Sequence, residues 1–322
     1  MPPAIILKGV TKRFRKNKKE FTAVDNISLE IPRGKIFGLL GPNGAGKTTT
    51  ISMICTLLTP TKGKILLEGI DVTKDTLEAR KRIGLVFQET TLDLELTGRQ
   101  NLDFHARLFK IDNRKRKVDE ALELVGLTKD ADVTVRQYSG GMKRRLEISR
   151  AIIHEPAMIL LDEPTLGLDP VSRRGIWEYI NMLIERKNVT VLLTTHYLEE
   201  AERLCSRIAI IDKGKVVVQG TPEALKAKIG NDIIILSLKR DDPKLAARLR
   251  EMKGVKRVVR ENGDLFLYVK DVDKTIVPLM KLFSEAQVSG LQIKRPSLDD
   301  VFFHYTGHKY EDAAEPERKV NA

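Results

Sequence analysis

The sequence predicts an α/β protein in which a parallel core sheet is followed by a smaller α+β domain. Between residues 5 and 219, short β-branched apolar runs alternate with longer amphipathic stretches, which is typical of buried parallel strands separated by helices. After residue 231 the order becomes strand, helix, strand, strand, helix, strand, the ferredoxin-like split βαβ arrangement. The apolar runs of the first part are residues 36–40, 83–87, 158–161, 189–193 and 208–211.

Composition limits the possible classes before any motif is considered. The chain has 322 residues, of which 42% are hydrophobic and 31% charged, and this fits two globular domains rather than a fibrous or disordered protein. No apolar run reaches the roughly 18 residues that span a bilayer, and residues 1–10 lack the apolar core of a signal peptide. The two cysteines, Cys55 and Cys205, form neither a disulfide framework nor a zinc pattern. These features favour a cytoplasmic protein.

The net charge of +12 lies mostly before residue 220. Much of it falls in three basic runs, residues 12–19, 114–117 and 143–145. Such runs attract phosphates or an anionic membrane surface. For the first two runs, the plainer interpretation as solvated helix and loop faces is favoured.

Helical periodicity replaces the strand signals between residues 97 and 153, so a helical subdomain is predicted there. Its first apolar positions are Leu102, His105, Leu108 and Phe109. A turn at residues 220–222 closes the first domain, which is predicted over residues 4–222, and a short helix over 223–229 follows.

The second domain is predicted over residues 231–306. Its two helices are expected at 243–252 and 272–286, and Ser297 and Asp300 have the spacing of a capping box at the start of a further helix. The tail, residues 308–322, is charged and poor in apolar residues, so it is predicted to be disordered.

A phosphate-binding loop is the strongest single motif. Residues 41–48 fit G-x-x-x-x-G-K-[ST] and stand between the run 36–40 and a helix predicted over 49–58. In such a loop, backbone N–H groups surround the β-phosphate, the lysine reaches the β and γ oxygens, and the hydroxyl can bind Mg²⁺. Because no N-K-x-D motif follows, adenine is favoured over guanine. ATP contacts are predicted at Gly41, Pro42, Asn43, Gly44, Ala45, Gly46, Lys47, Thr48 and Thr49.

Two later segments narrow the class of nucleotide-binding protein. Residues 138–142 read Y-S-G-G-M, and by themselves they fit a glycine turn in which Ser139 caps the helix predicted over 143–153. Further along, an apolar run ends in two carboxylates, Asp162 and Glu163. Together these segments resemble the L-S-G-G-Q signature and the Walker B strand of the nucleotide-binding subunit of ATP-binding cassette (ABC) transporters.

The resemblance covers about residues 4–222 and includes further motifs in the family's order. These are Gln88 after an apolar run, the turn at 167–169, and His196 after another run. The resemblance implies a P-loop NTPase cassette with a parallel core sheet, an antiparallel β subdomain and an inserted helical subdomain. Met142 takes the usual glutamine position and Tyr138 the usual leucine position, from which altered tuning rather than loss of function is expected.

The family's roles can be carried to the matching positions. Glu163 would polarise the attacking water as general base, and His196 would bind the γ-phosphate and fix that water. The implied catalytic residues are Glu163, His196 and Lys47. The implied Mg²⁺ ligands, suited to a cation that prefers hard oxygens, are Thr48, Gln88 and Asp162. Further ATP contacts are implied at Phe14, Gln88, Ser139, Gly140, Gly141, Met142 and Asp169.

Two of these assignments have plain alternatives. Phe14 would stack on adenine, but core packing is a rival explanation for its ring and Phe21 is a second candidate for the stacking residue. A glutamine at a strand end, such as Gln88, is by itself most often a surface residue. In both cases the assignment depends on the resemblance.

The resemblance also implies partners. In the family, the helix after the signature directs its N-terminal amides at the γ-phosphate held by a second subunit, so two copies of this chain would sandwich two ATP molecules. With one cassette and no membrane segment, the chain would dock on a separate multi-span permease through a groove around residues 88–104. It would lie in the cytoplasm, peripheral on the inner face of the cell membrane, with no nucleic acid as partner.

Three segments indicate the branch of the family. Residues 138–145, the ferredoxin-like extension and residues 296–302 resemble the ATPases of daunorubicin-resistance-type drug exporters. We therefore expect ATP-driven export of a drug, an antibiotic or a lipid-like compound, although exporters of polysaccharides or other cargo share such extensions. The alternative is a soluble cassette ATPase acting on nucleic acid or ribosomes. It is weakened because no heptad-patterned insertion separates the phosphate loop from the signature, and no second cassette is present.

Overall fold

The computed structural model describes residues 2–16, 19–230, 232–238, 243–261, 264–281 and 288–307. The tail predicted to be disordered, residues 308–322, lies outside this part, as does the end of the helix predicted over 272–286. The described residues form two compact units, which meet in the sequence between Pro222 and Glu223. No helix among the described residues combines the length and the apolar character that a membrane crossing needs.

The first unit contains a four-stranded antiparallel sheet, ordered β2-β1-β4-β5, and a six-stranded sheet, ordered β10-β9-β3-β8-β7-β6. In the second sheet only β10 runs antiparallel, so five parallel strands form the core as predicted. The strands are β1 (Ile5–Lys16), β2 (Lys19–Ile31), β3 (Ile36–Leu40), β4 (Lys62–Leu67), β5 (Ile70–Asp71), β6 (Ile83–Val86), β7 (Met158–Asp162), β8 (Thr190–Thr195), β9 (Arg207–Asp212) and β10 (Lys215–Gly220).

Helices surround these sheets, and a helical subdomain is inserted between β6 and β7. Its first helix begins with a complete capping box, in which Thr97 and Gln100 satisfy each other's backbone N–H groups. The helices are α1 (Lys47–Ile54), α2 (Thr76–Lys81), α3 (Gly98–Leu108), α4 (Arg114–Leu124), α5 (Gly140–Ile152), α6 (Pro170–Lys187) and α7 (Leu198–Leu204).

The main core lies between the two sheets. All five residues of β3 and all five of β7 are buried, as expected for central parallel strands that are covered on both faces. Helix α1 contributes Ile51, Met53 and Ile54 to the same cluster. Since β3 and α1 flank the phosphate loop directly, this core fixes both ends of the loop.

The second unit has the predicted ferredoxin-like topology, with an antiparallel sheet ordered β12-β13-β11-β14. Its core contains the inward residues of the sheet and the helices, such as Ile234, Leu249, Leu267 and Leu279. Ser297 and Asp300 form the predicted capping box. The elements are α8 (Pro222–Ile229), β11 (Asp232–Leu238), α9 (Pro243–Glu251), β12 (Val255–Glu261), β13 (Asp264–Val269), α10 (Val272–Met280), β14 (Val288–Lys294) and α11 (Leu298–Thr306).

Two details of the first unit differ from the prediction. Helix α1 ends at Ile54 rather than near residue 58, because Thr56 adopts a left-handed backbone conformation with φ of 66°. Leu108 is 63% exposed, although the periodicity placed it on the buried face of α3. Asn101 is buried there instead, and its amide donates to the carbonyls of Asp93 and Thr97.

Helix α5 packs unusually closely on β6. A Cβ added at Gly84 would lie 2.1 Å from the carbonyl oxygen of Ala151, so we expect Gly84→Ala to push α5 away and to lower the free energy of unfolding by about 1–3 kcal/mol. Urea unfolding measures this. The control is Gly175→Ala in α6, which meets no atom within 4 Å and should add up to about 1 kcal/mol. Equal urea midpoints for the wild type and Gly84→Ala would contradict the close packing.

Glu200, in α7, has a buried carboxyl group. The Oε1 atom of Glu200 accepts hydrogen bonds from Thr165 and from the Trp177 indole, both at 2.9 Å. Burial raises the pKa of the Glu200 carboxyl above its ordinary 4.5, and these hydrogen bonds only partly oppose the rise. The carboxyl therefore binds its proton more tightly in the folded than in the unfolded chain.

The raised pKa of Glu200 predicts a pH-dependent effect of Glu200→Gln. The stability contributed by the glutamate is fully present at acidic pH and is lost as the pH rises through the folded pKa, whereas glutamine does not titrate. The melting temperature of Glu200→Gln relative to the wild type should thus be higher at pH 8 than at pH 5, as measured by calorimetry. The exposed neighbour in Glu199→Gln is the control. A difference that is independent of pH would contradict the raised pKa.

Candidate active site

Three parallel strands end at one edge of the core sheet, and each is followed by residues of the predicted site. Leu40 at the end of β3 pairs with Thr195 of β8, and Thr194 pairs with Asp162 at the end of β7. The phosphate loop, the two carboxylates and His196 follow these ends. Ligands of open α/β sheets bind outside the carboxyl ends of such strands.

The phosphate loop needs glycine for close approach. A Cβ at Gly41 would lie 2.3 Å from the carbonyl oxygen of Ile211, and one at Gly46 would lie 2.5 Å from that of Ala23. Gly46 also has φ of 105° and forms the N-cap of α1, a conformation that glycine adopts without a steric penalty. The loop therefore lies tightly between neighbouring backbones and leads directly into the helix N-terminus.

Lys47 is buried at the start of α1, with 5% of its side chain exposed. Its Nζ donates to the carbonyl oxygens of Gly41 and Pro42, at 2.6 and 3.2 Å, and lies 3.2 Å from Oε1 of Glu163. The three donors of the ammonium group are thus directed at the loop and at the carboxylate. Lys47 and Glu163 are 116 positions apart in the sequence, and this contact brings them together.

Glu163 is held between Lys47 and His196, because its Oε2 lies 2.5 Å from Nδ1 of His196. Burial acts to raise the pKa of the Glu163 carboxyl, but the hydrogen bond from His196 and the charge of Lys47 together hold it below its ordinary value. The carboxylate is ionised, so Nδ1 of His196 carries the proton and donates it. The three implied catalytic residues therefore form one chain of contacts.

Glu163 and Asp162 point to different partners because the backbone turns between them. Strand β7 ends at Asp162, and Glu163 has a left-handed backbone with φ of 51°, which is uncommon outside glycine. The backbone N–H of Glu163 is fixed by the carbonyl and the hydroxyl of Thr194, at 3.2 and 3.1 Å. The turn of the backbone, rather than the pleat of the strand, aims the carboxylate at Lys47.

Two of the three implied magnesium ligands are adjacent. The Thr48 hydroxyl donates to Oδ1 of Asp162 at 3.3 Å, and the Thr194 hydroxyl donates to the same oxygen at 2.5 Å. A hydroxyl beside a carboxylate is an oxygen donor set that fits Mg²⁺, which keeps several of its waters. The third implied ligand, Gln88, is exposed just after β6, and no contact joins its side chain to this pair among the described interactions.

The signature residues form the beginning of α5. Ser139 is the N-cap, and its hydroxyl accepts from the backbone N–H of Met142 at 3.2 Å, which is the capping alternative that the sequence left open. A Cβ at Gly141 would lie 2.9 Å from Oγ of Ser172, so a small residue is needed here. The buried Tyr138 donates its hydroxyl to the carbonyl of Asp130 at 2.6 Å and anchors the helical subdomain.

The remaining implied ATP contacts lie on separate elements. Phe14 and Phe21 are paired across β1 and β2, and their rings stack with centroids 5.4 Å apart. Neither ring belongs to the buried core, and Phe21 is 51% exposed. Asp169 is the N-cap of α6, where its carboxylate accepts from the N–H groups of Val171 and Ser172, each at 3.0 Å. Hydrogen bonding to Ser172 lowers the pKa of the Asp169 carboxyl.

Sequence reasoning missed Arg144. It belongs to the basic run 143–145, which was expected to attract phosphates or a membrane surface. In the structure Arg144 is only 5% exposed, and its guanidinium donates to backbone carbonyls of the segment around Glu163 and to Glu147. Thr194, which touches both carboxylate residues, was also missed. Neither residue carries a sequence signal beyond its position next to a recognised motif.

Comparison with family models gives two matches. Residues 24–166 match the model described as ABC transporter, and residues 220–306 match that of the ATP-binding protein DrrA1-3-like C-terminal domain. Among curated proteins, the daunorubicin resistance ATP-binding protein DrrA3 of Streptomyces coeruleorubidus is 41% identical over 94% of this chain and 96% of its own length. The linearmycin resistance ATP-binding protein LnrL of Bacillus subtilis is 37% identical over 90% and 96%, respectively.

Similar proteins also include the Nod factor export ATP-binding protein I of Ralstonia nicotianae, 38% identical over 96% of both chains. Among solved structures, the dimeric post-hydrolysis state of the ATP-binding cassette MJ0796, bound to ADP and Pi, has a TM-score of 0.62 and 30% identity, covering 67% of this chain and 98% of that one. CbiO1 from Clostridium perfringens has a TM-score of 0.65 and 27% identity, covering 71% and 92%. Full-length similarity, the cassette fold and the order of the motifs together place this chain in the ABC transporter family, as an ATP-hydrolysing subunit with a DrrA-like C-terminal domain.

Proposed function

We propose that this chain energises an exporter, hydrolysing ATP to drive a hydrophobic or amphipathic compound through a separate membrane permease. The observation that carries the proposal is the contact chain Lys47–Glu163–His196 at the carboxyl edge of the sheet. The named functions of the relatives, resistance to daunorubicin and linearmycin and export of Nod factor, support the cargo class. The same relatives give no support to a soluble ATPase acting on nucleic acid or ribosomes.

Nucleotide binding would be carried by the phosphate loop and Lys47. The loop amides and the N-terminus of α1 present partial positive charge, and Lys47 would exchange its contact with Glu163 for the phosphate oxygens. Thr48 and Asp162, with Gln88, would hold Mg²⁺, which supplies positive charge against the β and γ oxygens when bound. Phe14 or Phe21 would stack on the adenine ring, since the two rings lie side by side on the same hairpin, outside the buried core.

Hydrolysis would depend on Glu163 as general base. Its carboxylate is ionised and would accept a proton from the attacking water, while the hydrogen bond from His196 keeps its Oε2 in a fixed orientation. General bases of this kind contribute rate factors of about 10²–10⁴. His196 would also contact the γ-phosphate, as the family resemblance implies.

A second copy of the chain would complete each site. Gly140, Gly141 and Met142 lie at the N-terminus of α5, which would direct its amides at the γ-phosphate bound by the partner. The relative MJ0796 forms a dimer in its ADP-bound and Pi-bound structure. Two ATP molecules would thus close a homodimer, and hydrolysis would open it. We propose that residues 4–222 form the cassette and residues 231–306 an accessory domain.

The permease would dock on the segment around residues 88–104. In this stretch the side chains of Phe104 and Gln88 are exposed. The segment follows β6, which pairs with β7, the strand that ends at Asp162. The chain would then lie on the inner face of the cell membrane. The cargo itself would be selected by the permease.

The substitution Glu163→Gln tests the general base. It keeps the shape of the side chain but removes the proton acceptor, so ATP should still bind while kcat falls by about 10²–10⁴ and an ATP-bound dimer accumulates. Steady-state ATPase assays, fluorescent-ATP binding and light scattering measure these effects. The exposed control Glu185→Gln in α6 should match the wild type, and Lys47→Ala should lose ATP binding. A Glu163→Gln variant with normal turnover would remove the assignment.

The permease is tested by capture from native membranes. Tagged Glu163→Gln protein with Mg-ATP should recover a stoichiometric multi-span membrane protein from detergent extracts, identified by mass spectrometry. Lys47→Ala protein is the matched control, because without ATP it cannot adopt the closed dimer. Recovery of ribosomes or nucleic acid alone, released by salt, would contradict the exporter and favour the soluble ATPase.

A further inference from the structure

Arg144 is a buried cation with five hydrogen bonds next to the proposed general base, Glu163. It lies in the first turns of α5 with 5% exposure. All three of its side-chain nitrogens donate, and four of the acceptors are backbone carbonyls. The bonds run to Pro164 from Nε at 2.6 Å, to Phe87 from Nη1 at 2.6 Å, to Glu147 from Nη1 at 2.9 Å, to Asp162 from Nη2 at 3.1 Å and to Glu163 from Nη2 at 3.0 Å.

Three of these carbonyls belong to consecutive residues, 162–164, at the point where β7 ends. Glu163 lies in the middle with its left-handed backbone, φ 51°. A non-glycine residue keeps such a conformation only where the surroundings fix it. The planar guanidinium of Arg144 fixes the Glu163 backbone from the carbonyl side, since a fork of rigidly spaced donors can bind several carbonyls at once. Thr194 fixes the N–H of Glu163 from the other side.

The same arginine is linked to the segment that carries Gln88. Glu147 lies three residues further along α5, on the same helical face, and is buried. Its Oε2 accepts from Arg144, and its Oε1 accepts from the backbone N–H of Thr91 at 2.9 Å. Arg150 donates to the carbonyl of Thr91 at 2.8 Å and to its hydroxyl. Residues 87–91 are therefore attached to α5 at both ends, at Phe87 and at Thr91.

We propose that Arg144 is a positioning residue for hydrolysis: with Glu147 it links residues 87–91 to the backbone of Glu163, so that a displacement of this segment moves the proposed general base. The proposal rests on the proposed function, because it assigns the moving carboxylate to the hydrolytic step. It specifies a physical connection between the segment around Gln88 and the catalytic strand end. The side chain of Gln88 is exposed and is not one of the groups described here that make this connection.

The first test is Arg144→Lys in the full-length protein. Lysine keeps the charge that Glu147 needs but cannot bind four carbonyls, so Glu163 loses its support. We expect kcat to fall by about tenfold to a hundredfold, the effect of a small misplacement of a catalytic group. The dissociation constant of fluorescent ATP should change less than twofold (about the error of such assays), since no phosphate contact is altered. Hydrogen exchange of residues 87–97 should become faster.

The control is Arg82→Lys, which alters another bridging guanidinium, bound to Glu68 and Glu78. It should leave kcat and the exchange of residues 87–97 unchanged. Because a buried charge left alone destabilises a fold, the second variant is the double substitution Arg144→Gln with Glu147→Gln, which removes both charges together. It should show the same loss of kcat at unchanged ATP affinity.

Two results would overturn the linkage. One is a folded Arg144→Lys protein with wild-type kcat and wild-type exchange of residues 87–97. The other is a parallel loss of kcat, ATP affinity and melting temperature in both variants, which would indicate a purely structural role. A wild-type chain that does not hydrolyse ATP would instead overturn the proposed function, while the exchange of residues 87–97 would still support or overturn the connection itself.

Discussion

The buried carboxylate of Glu163 is the constraint on which the site depends. An ionised carboxylate away from water is costly unless it is paired and hydrogen-bonded, and here Lys47 and His196 supply the pairing from two other chain segments. This requires three strand ends to meet at one edge, which the parallel register of β3, β8 and β7 provides. Strand β8 lies between two fully buried strands, and a shift in register would disrupt their close packing. The electrostatic requirement and the packing of the core therefore demand the same arrangement.

The departures from the family signature can be understood from the same geometry. In the dimer that we propose, the signature would present backbone amides at the start of α5, which are held in place by the Ser139 cap and by close contact of Gly141 with Ser172. The side chain of Met142 is not needed for the cap, since only its N–H takes part. Tyr138 donates its hydroxyl to the carbonyl of Asp130 and so anchors the subdomain. A methionine and a tyrosine at these positions thus leave the amide arrangement intact.

Much of this architecture was predictable because it depends on local patterns. The five parallel strands are buried on both faces, so their apolar runs are unbroken, and the phosphate loop has a spacing that only a few chemistries require. What escaped prediction depends on contacts between distant segments. The left-handed turn at Glu163 needs Thr194 and Arg144, and the burial of Asn101 depends on carbonyls of a preceding loop. A charged or polar side chain in the sequence gives no sign that its partners are buried carbonyls, so Arg144 was grouped with the basic runs expected to attract phosphates or a membrane surface.

Helix α5 explains how a single chain can connect three sites that are distant in sequence. Its first residues form the signature, its second turn binds the backbone of Glu163 through Arg144, and Glu147 and Arg150 hold residues 87–91. An α-helix is stiff over this length, and its packing on β6 at Gly84 leaves no room for a sideways shift. A rigid element cannot reposition its first turn without moving the groups attached to its later turns. In the dimer that we propose, the amides that face one nucleotide and the carboxylate that acts on the other are therefore carried by the same body, and the segment proposed to contact the permease is attached to it.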